Sequence, residues 1–208
     1  MKHITLPYIS PNLNLNNNVV LVGNSSLLLG KYGKLIDSYD TVFRFNRSPI
    51  KNFEEHVGTR TDFRILNNHV FENVNPGNDY TNQPLKFIKK IKNSNIIRIG
   101  PGEPRNKTIK SFERKKNKIY LFDYGKSEEI KELLKFKSNK NMSVGAIMIS
   151  LCILSGVETN IIGFDLKEVS VTHYWEDRPN KMSNSHDFSF EKKWVRELVN
   201  KGVINSIS

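Results

Sequence analysis

Short apolar runs punctuate the chain at Val19–Val22, Thr41–Phe45, Phe63–Leu66, Ile96–Ile99, Ile119–Phe122 and Thr159–Ile162, each bounded by Gly, Asn, Asp or Pro. Runs of this length with such boundaries predict strands. Between them, apolar residues recur at helical spacing around Leu27–Ile36, Gln83–Ile91, Glu128–Phe136, Val144–Leu154 and Phe190–Val199; Trp194, Val195 and Leu198 make the stripe of the last. Strand and helix in alternation predict an α/β protein: a mostly parallel central sheet flanked by helices, Rossmann-like, with ligands held beyond the carboxyl ends of the strands. Residues 1–18 read as a polar N-terminal segment and 19–208 as a single domain.

Charge narrows the class of partner. Across 208 residues, 32 Lys and Arg stand against 21 Asp and Glu, a net charge of +11, which favours anionic substrates, polyanions or an acidic membrane surface. The basic residues cluster between Lys86 and Lys118 and again between Lys131 and Lys140, beside isolated Ile, Leu or Phe. Such a cluster is either a solvated helix face or a surface that meets acidic lipid or polymer. A nucleic-acid partner is not expected, because no aromatic residues interleave with the basic clusters in a recognisable RNA-binding motif.

The one cysteine, Cys152, lies inside VGAIMISLCILSGV, the most hydrophobic stretch of the chain. No intramolecular disulfide can form, and a reducing compartment is the natural setting. The stretch is shorter than the roughly 20 apolar residues that span a bilayer, so it predicts a core helix. MKHITLPYISPNLNLNNN lacks the apolar core of a secretory signal. These features predict a cytoplasmic protein without a transmembrane anchor, touching a membrane peripherally if at all.

Familiar phosphate loops do not fit. Gly23 is followed by Asn24, Ser25 and Ser26, with the next glycines at Gly30 and Gly33, whereas a dinucleotide fingerprint needs G-x-G-x-x-G directly after the strand. The second strand ends in Arg44 and Asn46 rather than in the acidic residue a nicotinamide cofactor's ribose requires. The P-loop spacing is absent, and neither a D-x-D pair nor spaced Cys/His ligands occur. Chemistry on a phosphate then falls to Arg, Lys, protonated His and helix N-termini, with no metal and no cofactor expected.

Four polar segments sit at predicted strand ends or helix starts: GNSS at 23–26, FRFNRSP at 43–49, MSVG at 142–145, and THYWED followed by HDFSFE. Here the residues resemble glycosyltransferase family 29, the eukaryotic-type sialyltransferases. VVLVGNSSLLLGKYGKLIDSYDTVFRFNRSPIKNFEEHVGTRTDFRIL is similar to the family's long sialylmotif, and NMSVGAIMISLCILSGVETNIIGFD to its short one. THYWED resembles the third motif, and HDFSFE has the His-x4-Glu pattern of the very short motif. All four occur in the family's order between Val19 and Glu191.

The resemblance implies an inverting, metal-independent transfer of sialic acid from CMP-sialic acid to a glycan or glycolipid hydroxyl, on a variant of the GT-A fold. It implies that Asn24 and Asn46 contact CMP with Ser25 close by, and that Ser143, Val144 and Gly145 meet the donor's phosphate or carboxylate. His173 is implied as the phosphate ligand, His186 as the general base and Tyr174 and Trp175 as donor neighbours; Gly23 and Glu191 are implied as structural members of the motifs. The residues alone leave other roles open. Asn24 and Asn46 are also turn formers, Trp175 suits packing, Asp37 and Asp40 suit links between helix and strand, and Arg60 suits an acidic neighbour. Arg44 faces either the crevice or a buried carboxylate.

Two departures stand out. Where the relatives carry a disulfide, Val19 and Gly156 occur instead, which points to a soluble bacterial or viral form. The chain is also short, which suggests a reduced acceptor-binding region. Transfer of another CMP-activated keto-sugar acid such as Kdo, or CMP-sugar binding without catalysis, are the competing readings.

Overall fold

The computed structural model describes residues 4–72, 91–166, 173–176 and 185–207. The chain opens with β1 (Ile4–Leu6), β2 (Ile9–Ser10) and β3 (Leu13–Leu15). The six expected strands then follow as β4 (Asn18–Val22), β5 (Thr41–Phe45), β6 (Phe63–Asn67), β7 (Asn95–Gly100), β8 (Lys118–Asp123) and β9 (Glu158–Ile162). A last strand, β10 (Asn205–Ile207), completes an eight-stranded sheet of order β10-β9-β4-β5-β6-β7-β8-β2. Every pairing in it is parallel except that of β2, which closes the edge antiparallel to β8.

Central strands covered on both faces read as continuous apolar runs, and β4 shows why. Val19 and Leu21 point into the larger core, against the helix Val144–Ser155; Val20 and Val22 point to the opposite face, against Leu28, Ile36 and Val57. The pleat thus divides one run between two cores. The Val144–Ser155 helix is itself buried from Ala146 to Cys152, as expected of a helix apolar all round. Cys152 lies within it, and burial pushes its thiol up to about 12, so it is inert.

Residues 4–18 depart from the polar segment expected of them. β1 and β3 form an antiparallel hairpin that packs on the Val144–Ser155 helix, and Leu6, Ile9, Leu13 and Leu15 are buried. The run of Asn masks an alternation of apolar residues that serves as the lid of the larger core. The segment expected as one helix over Leu27–Ile36 is divided into a 3-10 turn, Ser26–Gly30, and a helix, Gly33–Asp37, because Lys31 adopts the left-handed conformation between them. The Glu128–Phe136 helix runs instead over Ser127–Leu133, where Lys135, again left-handed, ends it. A helix over Asn106–Glu113, anchored by buried Phe112, had too few apolar residues to be anticipated. The Gln83–Ile91 helix lies outside the described residues except for Ile91.

From β4 the chain moves outward through β5, β6, β7 and β8, then returns to the other side of β4 as β9. The carboxyl ends of β4 and β9 therefore flank the topological switch point, where a doubly wound sheet opens a crevice for ligands.

Candidate active site

Gly23 is the first residue past β4. Its N–H donates to Ile162 O at 2.8 Å, and Ser25 N–H donates to Gly163 O at 3.0 Å, so the β4 end is laced to the β9 end. A Cβ at Gly23 would stand 2.3 Å from Gly163 O; only glycine lets the two backbones approach this closely. Asn24 then points its side chain inward. Its Oδ1 is buried and has no hydrogen-bond partner among the described residues. An acceptor so placed costs about 1–3 kcal/mol unless a donor meets it. The Ser25 hydroxyl accepts the Leu27 N–H at 3.1 Å and caps the 3-10 turn.

One strand along, Asn46 turns the chain at the end of β5 with φ of +49°. Its Oδ1 accepts the Asn67 N–H at 3.0 Å, and its carbonyl accepts from Arg64 Nη1 at 3.0 Å. Turn closure and a ligand role are thus compatible here, since Oδ1 holds the turn and the amide nitrogen does not. Arg64 also donates to Ser48 Oγ at 2.9 Å. Burial, then the nearby Arg44 charge, bring its guanidinium down to about 10. Arg44 meets neither crevice nor carboxylate: fully buried, it donates to Val57 O at 2.5 Å, Arg60 O at 2.9 Å and Thr61 Oγ1 at 3.0 Å. Asp37 accepts the backbone N–H groups of Thr59 and Arg60, and Arg60 pairs with Asp62 at 3.0 Å. These residues fasten the loop 57–61 to β5 and to the turn before it.

His173 is joined to Ser25 by an antiparallel bridge, and Tyr174 N–H donates to Asn24 O at 3.0 Å. The third motif therefore lies directly against the first. His173 Nδ1 sits 2.9 Å from Glu176 Oε2, and its ring stacks on Trp175 with centroids 4.5 Å apart and planes at 12°. A carboxylate accepts, so Nδ1 carries the proton and Nε2 is the nitrogen turned to other partners. Tyr174, expected among the donor contacts, is packed into the framework. It is 4% exposed, donates its hydroxyl to Pro49 O and packs edge-on against Phe53. Burial pushes its phenol up to about 12. Trp175 packs between His173 and Tyr174.

The other half of the site is built around the start of the Val144–Ser155 helix. Ser143 Oγ accepts the Ala146 N–H at 3.1 Å, and Ser143 O accepts that of Ile147 at 3.0 Å. The N–H groups of Val144 and Gly145 carry no bond among the described residues, which leaves two first-turn donors at the positive end of a helix dipole. A Cβ at Gly145 would stand 3.1 Å from Phe164 Cε1, and one at Gly23 3.0 Å from Phe164 Cδ2. The helix start and the β4 turn thus meet the same aromatic ring.

His186 pairs with Asn141 in a parallel bridge, and its Nδ1 lies 2.9 Å from Asn141 O. A carbonyl only accepts, so the proton is on Nδ1, and in the neutral ring Nε2 carries the lone pair. Five residues on, Glu191 accepts the Ser143 N–H at 2.7 Å. Burial raises the Glu191 carboxyl above its ordinary value, against the hydrogen bonds of Ser143 and the His186 charge. The helix Phe188–Asn200, capped by Asp187, thereby locks the base candidate to the start of the Val144–Ser155 helix. Glu176, Asn141, Phe164 and Arg64 were not singled out from the sequence. Glu176 stood in plain view in THYWED, and Arg64, a charge inside an apolar strand, was a signal in itself.

Two depressions of about 270 Å³ lie elsewhere, one lined by Asn68, Glu72 and Arg98, the other by Lys135, Lys193 and Trp194. Neither is lined by Asn24, Ser143, His173 or His186. Among the described residues no three His, Cys, Asp or Glu side chains converge as a metal site, and no helix is long and apolar enough to cross a membrane.

Comparison with known proteins gives one family. Residues 12–203 match "Glycosyltransferase family 29 (sialyltransferase)". A mouse relative, CMP-N-acetylneuraminate-beta-galactosamide-alpha-2,3-sialyltransferase 2, is 25% identical over 186 residues, covering 86% of this chain and 53% of its own. The chain spans less than two thirds of the length of the relatives it matches, reaching 64% for the mouse type 2 lactosamine alpha-2,3-sialyltransferase. The crystal structure of a mammalian sialyltransferase shares the fold, with a TM-score of 0.66 at 20% identity over 91% of this chain and 68% of that one. So does CstII from Campylobacter jejuni in complex with the substrate analogue CMP-3FNeuAc, with a TM-score of 0.50 at 18% identity over 92% of this chain and 81% of that one.

Proposed function

The chain belongs to glycosyltransferase family 29, the sialyltransferase family, and we propose that it moves sialic acid from CMP-sialic acid to a hydroxyl of a glycan or glycolipid, with inversion and without a metal ion. The observation that carries this reading is the bond from His186 Nδ1 to Asn141 O, which leaves Nε2 to take a proton. Asn24, whose buried Oδ1 wants a donor, suits the amine or hydroxyls of a cytidine, and the Asn46 amide lies one strand away. The Val144 and Gly145 N–H groups are the anion-binding groups, joined by the His173 imidazolium, whose Nε2–H donates to a phosphate oxygen while Nδ1–H is held by Glu176.

In the reaction the acceptor oxygen forms a bond to the anomeric carbon while the bond from that carbon to the phosphate oxygen breaks. His186 Nε2 takes the hydroxyl proton, and CMP leaves with the electron pair. His173 and the helix start stabilise the charge that develops on the phosphate; one such preorganised donor is typically worth about 100-fold in rate. No cofactor is required. The support for a metal-free reaction lies in the donors themselves, which are imidazole and backbone N–H rather than clustered carboxylates. A variant of the GT-A fold and a cytoplasmic setting belong to the same proposal, the latter resting on inert, unpaired Cys152.

The test incubates the full chain with CMP-sialic acid or CMP-Kdo and a glycan acceptor, with and without EDTA. CMP release from CMP-sialic acid that survives EDTA is expected. Release from CMP-Kdo alone would replace the donor, and no release from either would overturn the proposal.

A further inference from the structure

The second depression is bounded by the helix that follows His186 and by the loop that precedes Asn141. It is lined by Lys135, Lys137, Phe190, Lys193, Trp194 and Glu197 and holds about 270 Å³. Its aromatic wall is fixed from beneath by buried Phe136, whose ring meets Phe190 edge-on at 4.8 Å and Trp194 at 5.1 Å. The loop that forms its other wall is pinned twice to the base segment: Ser138 Oγ lies 3.4 Å from Asp187 Oδ2, and Asn141 O holds His186. Phe190 lies in the first turn of the helix Phe188–Asn200 and Lys193 in the second.

Lys126 pairs with Glu129, Lys131 with Glu128 and Lys192 with Asp165. Lys135, Lys137 and Lys193 are exposed and in no ion pair among the described residues, and Glu197 is the one carboxylate on the rim. The depression thus joins an excess of positive charge to an aromatic wall, on the helix that begins two residues after the group that would activate the acceptor hydroxyl. Lysine ammonium groups suit a carboxylate, and aromatic edges suit the C–H face of a sugar ring.

We propose that this depression binds the carboxylate-bearing part of an acidic oligosaccharide acceptor, so that the enzyme prefers an acceptor already carrying an acidic sugar. The inference rests on the transferase reading above, but its test is a binding measurement that needs no turnover. Sialyllactose and lactose are titrated into the full chain by calorimetry, beside the charge-removing variant Lys135→Gln/Lys137→Gln/Lys193→Gln and the single variant Lys193→Gln. Wild type is expected to bind sialyllactose at least about tenfold more tightly than lactose, with the preference fading as salt rises. The triple variant is expected to lose the preference and Lys193→Gln to lose part of it, while lactose affinity moves little. Equal affinity for the two sugars, or a preference the variants leave intact, overturns the proposal. So does lysine-dependent binding to phosphatidylserine vesicles without any to sialyllactose. If the titrations succeed while no CMP is released from CMP-sialic acid, it is the transferase reading that fails.

Discussion

Glu191 and Ser143 are joined by a 2.7 Å hydrogen bond from the Ser143 N–H to a buried carboxylate oxygen, across 48 residues of sequence. That bond ties the helix that follows His186 to the helix that begins at Val144 and Gly145. The proposed base and the proposed anion site are thereby held in one rigid unit.

Removing the Glu191 acceptor is expected to weaken this unit. Glu191→Ala leaves the Ser143 N–H without its partner and should lower unfolding stability by about 1–3 kcal/mol. Glu191→Gln keeps an oxygen there and should cost far less. Because burial raises the carboxyl in the folded state, the stability it confers is fully present below its unfolded value and is lost as pH rises through the folded one. Glu191→Gln should therefore gain on wild type between pH 4 and pH 8. Urea unfolding at both pH values checks the sign, and a gain on acidification would contradict it.

Asn24 offers the opposite pairing of effects. Its buried Oδ1 lacks a partner among the described residues, so Asn24→Ala should leave stability unchanged or raised, by up to about 1–3 kcal/mol. CMP affinity should fall by about tenfold, the usual size of one lost buried hydrogen bond. Thermal unfolding and CMP titration on the same sample separate the two. A variant that is less stable and still binds CMP normally would make Asn24 a framework residue.

Tyr174 should behave in reverse. Tyr174→Phe removes the hydroxyl that Pro49 O accepts and should cost about 0.5–1.5 kcal/mol of stability. The phenol lies inside the protein at 4% exposure, so CMP affinity should change less than about threefold, under 1 kcal/mol. Calorimetric CMP titration checks this, and a tenfold loss would restore Tyr174 to the donor site.

Gly23 is expected to tolerate no side chain. A Cβ there meets Gly163 O at 2.3 Å, backbone against backbone, so Gly23→Ala should destabilise by at least about 1–3 kcal/mol. Wild-type thermal unfolding of that variant would show that the β4 and β9 ends separate more easily than their hydrogen bonds indicate.

Much of this was legible in the chain, unevenly. The strands appeared because parallel central strands are apolar on both faces, and β4 displays that rule in four consecutive residues. The placement of Gly23 and Asn24 at a strand end and of Ser143 at a helix start was legible through motif spacing. The β1–β3 hairpin was not, since Leu6, Leu13 and Leu15 sit among asparagines and prolines that read as loop. Nor did sequence separate Tyr174 from its neighbours. Its burial depends on Pro49 and Phe53, more than a hundred residues away. Arg44 was likewise undecided, because two of its partners are backbone carbonyls, which have no sequence signature.

The central claim is that His186 Nε2 takes the acceptor proton, and the rate of sialic acid transfer by His186→Ala tests it most directly, alongside CMP affinity measured on the same preparation. General-base catalysis contributes about 10²–10⁴-fold, so turnover should fall by at least about 100-fold while CMP binds within about threefold of wild type. Transfer at the wild-type rate by a folded, CMP-binding His186→Ala protein would contradict the account.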